Sequence, residues 1–246
     1  MGKVFLHQLS YEEARDYFSK RDLVILPVGS VEQHGPANPL GTDMLIAQAL
    51  AEEVASRSGI LSLPVIPFGV SFHHMGFPGT ITVSEDSLES YALDVLRSLS
   101  KWGVRKVLVV NGHGGNLPAL QIVARKAMDE LGIRVYIYQW WTSSSHVLAE
   151  LFSEDERGHA SGAETSLNMH LHPELVRPER LVDEEPKGSF DNRVFRFAYT
   201  HEMSVSGVFG RQSASSPERG SALFERLVED LLGIVREIER EGQSEG

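Results

Sequence analysis

Four stretches of this chain are almost continuously apolar and constrain its fold more than any other feature: DLVILPVGS (22–30), ILSLPVIPFG (60–69), RKVLVVNG (105–112) and RVYIYQWW (134–141). A strand with one wet face alternates apolar and polar residues, whereas a strand covered by helices on both faces, as in a parallel sheet, reads as an unbroken run. Between the runs the spacing turns helical. Residues 43–58 carry Leu45, Ile46, Ala49, Leu50 and Val54 ahead of Gly59, and residues 84–102 repeat the stripe ahead of Gly103. Asn116 is placed to cap a third helix, with Pro118 in its first turn and Gly132 at its end. Strand and helix alternate, which predicts an α/β layered fold with a parallel sheet.

Beyond Trp141 the pattern changes to Ser/Thr/Gly-rich loops, a short helix over 163–171 and an irregular region from Pro173 to about Ser216. Ser216-Pro217 then opens a final amphipathic helix with Leu223, Leu227, Leu231, Leu232 and Val235 on its apolar side, ending in a frayed polar tail, GQSEG. With neither a repeat nor a linker, residues 1–246 read as a single domain.

Composition removes several function classes. There is no cysteine, so disulfides, thiolate metal sites, iron–sulfur clusters and a catalytic thiol are all excluded, and any metal must be held by His and carboxylate. A net charge of −11 argues against nucleic acid or an anionic membrane as the main partner, and leaves a small-molecule substrate as the expected one. No apolar run reaches membrane-spanning length, and the N-terminus has acidic residues where a signal peptide needs an apolar core, so the expected location is cytoplasmic.

The chemistry-bearing residues gather at the ends of the apolar runs. EQHGPANPLGTD (32–43) places Glu32 and His34 two apart after the first strand, where extended chain points both side chains to one side, able to share a metal. Asp43 follows at the start of a helix, where a carboxylate is also at home as a cap. VVNGHGGN (109–116) holds His113 at a glycine-rich turn in the equivalent place; its spacing is not that of a nucleotide loop, and a histidine exposed beside a ligand explains it better. In GHASGAETS (158–166), His159 and Glu164 are five apart across a loop entering a helix, and taken alone Ser161 and Glu164 read more simply as a capping box. HHMGFPGT (73–80) contains His73 and His74, an adjacent pair that by itself suits a surface loop. Together Glu32, His34, Asp43, His113 and Glu164 form a sulfur-free donor set suited to two divalent ions, Zn, Mn or Fe(II), that would activate a water toward a carbonyl.

In their order, EQHGPANPLGTD, FPGTI, NGHGGN and HASGAETS resemble the creatininase family of metal-dependent amidohydrolases, whose usual forms read EQHGPHLPLGTD, FPGT, NGHGGN and HAGExETS. The similarity runs from about Leu26 to Ser166, with a weaker echo in GVFGRQSASSPERG. It implies a three-layer α/β/α sandwich with a mostly parallel central sheet, a dinuclear metal centre, hydrolysis of a cyclic amide or formamide C–N bond, and a homo-oligomer, often a hexamer. It also implies that Glu32, His34, Asp43 and His113 are metal ligands with Asp43 as the bridge, that Glu164 completes the set, that His159 carries the proton to the leaving nitrogen, and that His74 lies near the substrate. Three positions depart from the pattern: Gly115 stands where true creatininases carry a glutamate, Ala37-Asn38 where His-Leu is usual, and Gly162 where HAGE has its glutamate. The first speaks against creatinine itself. Other branches of the family hydrolyse a formamidopyrimidine ribotide or trim a peptide during cofactor maturation. The rival from another class is a non-catalytic binding module for a nucleotide or small ligand, with NGHGGN as a phosphate-contacting turn.

Overall fold

A computed structural model describes residues 3–187 and 196–241, so the GQSEG tail and part of the irregular region lie outside the described residues. In chain order the elements are α1 (Tyr11–Phe18), β1 (Leu23–Val28), α2 (Thr42–Ser58), α3 (Glu85–Ser100), β2 (Lys106–Asn111), α4 (Leu117–Leu131) and β3 (Arg134–Gln139). They continue with α5 (Trp140–Ser143), α6 (Ser145–Leu151), α7 (Gly162–Leu171), β4 (Asp183–Glu184), α8 (Thr200–Met203), β5 (Gly210–Arg211) and α9 (Pro217–Arg240). β1, β2 and β3 form one parallel sheet in that order, with Leu23 opposite Lys106 and Lys106 opposite Arg134. β4 and β5 make a small antiparallel pair inside the region expected to be irregular.

Every residue of β1 is buried, because successive side chains enter two different cores. Leu23 and Ile25 join Leu108, Val110 and Tyr138 beneath α2, α6, α7 and α9. Val24, Leu26 and Val28 join Val107 and Val109 beneath α3 and α4. The result is the three-layer α/β/α arrangement. β3 is the sheet edge and departs from the two-sided burial expected of it, since Arg134 is exposed and Val135, Tyr136 and Ile137 are half-buried.

Two expected elements are corrected. The run 60–69 is not a strand but a series of isolated parallel bridges along β1, at Ser62 with Ile25 and at Ile66 with Val28. Pro64 and Pro67 lack the N–H that a continuous ladder requires, so the segment pairs with the β1 stretch in two separate places: Leu61 O accepts from Ile25 and Leu63 donates back to it, while Ile66 donates to Pro27 and accepts from Gly29. The last strand stops at Gln139, and Trp140 and Trp141 begin α5.

Asn116 precedes α4, yet its side chain makes no helix cap. Its amide accepts from Val70 N at 2.9 Å and donates to Gly29 O at 3.0 Å and to Asn111 Oδ1 at 3.2 Å, binding the ends of β1 and β2 to the following loop. At the same strand ends Gly112 lies against the first turn of α2, where a Cβ would fall 2.2 Å from Asp43 O. Only a residue without a side chain lets helix and strand approach this closely. None of the described helices is long and apolar enough to cross a membrane.

Candidate metal centre

All five carboxylates and histidines expected to ligate metal converge where the carboxyl ends of β1 and β2 meet α2 and α7, the usual place for ligands in an open α/β sheet. Three overlapping groups have ligand atoms within 4.8 Å of one another: Glu32, Asp43 and His113; His34, Asp43 and Glu164; and Glu32, His34 and His159. Asp43 belongs to the first two. Its Oδ1 lies 3.0 Å from His34 Nε2 and its Oδ2 lies 3.1 Å from His113 Nδ1, so one carboxylate faces both histidines and could bridge two ions. Ser30 Oγ donates to Oδ2 at 2.8 Å and fixes that orientation. The carboxylate is therefore not used to cap α2, whose N-cap is Gly41.

Each of these histidines aims one nitrogen at the cluster because a backbone carbonyl holds the other. His113 Nε2 donates to Val70 O at 2.9 Å, which turns Nδ1 toward Glu32 and Asp43. His34 Nδ1 donates to Glu32 O at 3.2 Å, leaving Nε2 toward Asp43 and, at 3.8 Å, toward Glu164 Oε2. Such backbone anchors are the usual supports of metal-binding imidazoles. Glu32 and His34 follow β1 as expected and meet in one group with His159, while with Asp43 they fall into different groups, Glu32 beside His113 and His34 beside Glu164.

Glu32 supplies the test of whether this set fits cations. It is fully buried, and neither carboxylate oxygen has a hydrogen bond of acceptable geometry, although His74 Nε2 stands 3.2 Å from Oε1 and His113 Nδ1 3.1 Å from Oε2. A buried carboxylate left so is costly unless a cation completes it. Oxygen and imidazole donors without sulfur suit Zn, Mn or Fe(II).

Titration behaviour agrees. Burial works to raise the Glu32 pKa, but the nearby imidazoles, His113 before His74, outweigh it and hold the group well below the ordinary carboxylate range. Burial opposes a charged His34, yet Asp43, then Glu164 and Glu32, drive its pKa up to about 10. His113 is raised in the same way against its burial, by Glu32 and Asp43. Glu164 is pushed up to about 7, first by burial. The carboxylates thus draw protons onto the two imidazoles, which divalent ions would displace on binding.

Glu164 accepts from Ala160 N at 2.5 Å, while Ser161 Oγ donates to Gly158 O at 2.7 Å, so the predicted capping box does not form. Ala160 holds a left-handed φ of 58°, a strained value for a residue with a side chain, and this directs its N–H at Glu164. His159 stacks on His74 with ring centroids 4.4 Å apart, and burial, with His34 and His74 nearby, keeps its pKa well below the usual imidazole value. His73 and His74 are no simple surface pair: His74 is buried, and His73 stacks over His113 at 5.5 Å.

The centre opens into a cleft of about 230 Å³ whose rim includes Trp141, Arg157, Met203 and Phe209. Trp140 is 2% exposed and belongs mainly to the core, with Trp141 packed edge-on against it, so core and cleft wall are divided between the two. A larger groove of about 840 Å³ between α1 and α3 is almost wholly apolar and gathers no cluster of titratable groups, which leaves the chemistry with the smaller cleft. Ser30, Gln33, Arg157 and Thr200 escaped the sequence reading. Ser30 and Gln33 flank Glu32, and Arg157 precedes His159 by two, so adjacency was a usable signal for three of them; Thr200 carried none.

The creatininase family, described as creatinine amidohydrolase, matches residues 7–235. This chain belongs to the creatininase family. Among the relatives it resembles, a 3-dehydro-scyllo-inosose hydrolase of Thermotoga maritima is 29% identical, covering 96% of this chain and 83% of the relative. A mycofactocin precursor peptide peptidase of Mycolicibacterium smegmatis is 32% identical over 93% of this chain and 90% of the relative. A 2-amino-5-formylamino-6-ribosylaminopyrimidin-4(3H)-one 5'-monophosphate deformylase of Methanothermobacter marburgensis is 36% identical over 87% and 89%. A solved creatinine amidohydrolase has the same fold, with a TM-score of 0.86 at 27% identity over 96% of this chain and 97% of that one. Solved creatininases of similar likeness include a manganese form and a zinc–zinc form. The chain is an enzyme of this hydrolase family, and its buried Glu, Asp and His groups suit the same kind of metal pair.

Proposed function

We propose that the protein hydrolyses a carbon–nitrogen bond in a small amide or formamide bearing an anionic group, with Glu32, Asp43 and His113 holding one divalent ion and His34, Asp43 and Glu164 the other. The observation that carries this reading is the buried Glu32 carboxylate, which has no adequate hydrogen-bond partner and faces two imidazoles and a second carboxylate. When bound, such ions supply Lewis acidity and lower the pKa of water. The protein's own residues do the rest. Burial holds His159 neutral, so it can take a proton from the attacking water and deliver it to the departing amine. Trp141, Phe209 and Met203 narrow the cleft around the substrate.

Two features bear on the substrate. Gly115 admits no side chain, since a Cβ there would lie 2.1 Å from Val70 O and 2.5 Å from His113 Nε2, so the glutamate usual in true creatininases has no place on this backbone. At the rim, Arg157 is anchored by Nε to Phe152 O at 2.9 Å, and among the described residues its two terminal nitrogens have no protein partner. A guanidinium fork placed this way suits a phosphate or carboxylate. Both favour a phosphorylated formamide of the deformylase type over creatinine. Assembly into a homo-oligomer belongs to the same proposal and is measured by sedimentation.

The test is a screen of zinc- and manganese-loaded protein against creatinine, a formylaminopyrimidine ribotide, its dephosphorylated form and short peptides, read by formate or amine release. Release from the ribotide, abolished by chelator and weaker without the phosphate, is the expected result. Peptide cleavage alone would move the assignment to the peptidase branch. Turnover of nothing, with ligand-dependent melting shifts indifferent to chelator, would replace the enzyme by a binding module.

A further inference from the structure

Gln33 sits between the two metal-facing residues of its motif, Glu32 and His34, but turns away from them, and it is only 4% exposed. Two backbone groups fix its amide: Gly35 N donates to Oε1 at 3.0 Å, and Nε2 donates to Gly207 O at 3.1 Å. The amide therefore cannot be reversed without losing both bonds. One proton remains on Nε2, and two imidazole nitrogens are within reach, His74 Nδ1 at 3.0 Å and His159 Nε2 at 2.9 Å.

His74 Nε2 faces Glu32 Oε1 at 3.2 Å and must carry a proton to avoid opposing a carboxylate, which leaves Nδ1 as an acceptor, shared with Thr200 Oγ1 at 2.9 Å. His159 Nε2 lies 3.0 Å from the backbone oxygen of Gln33, which has no other donor among the described residues. A proton on His159 Nε2 satisfies that buried carbonyl; a proton on Nδ1 instead would strand it.

We propose that Gln33 is a positioning residue for both imidazoles, its backbone carbonyl accepting from His159 Nε2 and its side-chain amide donating to His74 Nδ1, so that His159 presents a bare Nδ1 to the cluster. His159 Nδ1 already points the right way, at 4.0 Å from Glu32 Oε1. Resting on the hydrolase reading above, this makes His159 a base before it is an acid: Nδ1 takes the proton of the attacking water and passes it to the leaving nitrogen. His74, its one proton turned to Glu32, orients that carboxylate and does not carry the transferred proton.

The arrangement is read directly by two-bond proton–nitrogen correlation NMR on zinc-loaded protein labelled with ¹⁵N-histidine, with His159→Gln and His74→Gln used only to assign signals. The expected spectrum shows protonated Nε2 and bare Nδ1 on both residues. In Gln33→Glu the carboxylate can no longer donate to His74, so His74 Nδ1 gains a proton while zinc content is unchanged. With whichever amide the wild type hydrolyses, kcat in that variant falls about 10²-fold and KM changes little. A proton on His159 Nδ1 in the wild type, or a His74 signature unmoved in Gln33→Glu, would overturn the assignment. A wild type that hydrolyses nothing would sink the hydrolase reading while leaving the NMR result to stand on its own.

Discussion

At the amino ends of the sheet strands, charged residues are exposed and matched: Arg21 pairs with Glu239 at 2.7 Å and Arg134 with Glu241 at 2.8 Å, each side chain about two-fifths exposed. Lys106 Nζ donates to the carbonyls of Ile238 and Glu241 at the end of α9, and Tyr136 shares Glu241. At the carboxyl ends, Glu32, His34, Asp43 and His113 are nearly or fully buried, and the Glu32 carboxylate is left without a hydrogen bond. Charged pairs in water contribute little and cost little, so the first end can hold a helix terminus and nothing more. Similar groups out of water are expensive, and a cluster of them suits cations that would complete it. Burial, more than residue type, separates a site of chemistry from a surface here.

Asp43→Ala should break the contrast most severely. It removes the residue common to both candidate ion groups, so metal content measured by mass spectrometry should fall from about two equivalents per chain to below one, with activity down by more than about 10³-fold. Ser30→Ala leaves every ligand in place but frees Asp43 to rotate, and metal affinity measured by competition with a chromophoric chelator should weaken about 10- to 100-fold.

A third effect is one of pH. In the metal-free protein, Glu164 has a pKa of about 7 against an ordinary 4.5, and His34 about 10 against 6.5. Both are raised, so both give stability that is present at low pH and lost on deprotonation, Glu164 from about 4.5 to about 7 and His34 from about 6.5 to about 10. Thermal melts in chelator should therefore show a lower Tm at pH 9 than at pH 6. The metal-loaded protein should show the opposite trend over the lower part of that range, because ions compete with those protons. Smallest of all, Arg134→Ala at the exposed end should cost less than about 1 kcal/mol by urea denaturation and leave metal content untouched. A large loss there would mean that the two ends do not differ as described.

The residues legible in the sequence were those whose role is decided locally. Glu32, His34, Asp43 and His113 each follow a strand or open a helix within a few residues, so their convergence could be expected from the alternation of elements alone. Elsewhere distant partners decided the outcome. Asn116 was expected to cap α4, but Val70 offered a buried amide and Gly29 a buried carbonyl, and its side chain satisfies both. Glu164 reads as half of a capping box until the loop places Ala160 N, rather than Ser161 N, beneath it. The apolar run 60–69 reads as a strand because its composition outweighed Pro64 and Pro67, whose missing donors break the ladder. Thr200 reaches His74 across 126 positions, a distance no spacing rule spans.

The close seat of α2 on Gly112 has a consequence for how this molecule can diversify. Any side chain there would push the helix outward and carry Asp43 with it, so the floor of the site tolerates almost no experiment. Trp141 on the four-residue α5 and Arg157 and Phe209 on loops stand at the rim, where exchange leaves that seat undisturbed. New specificities can be tried at the mouth while the base of the cavity stays as it is.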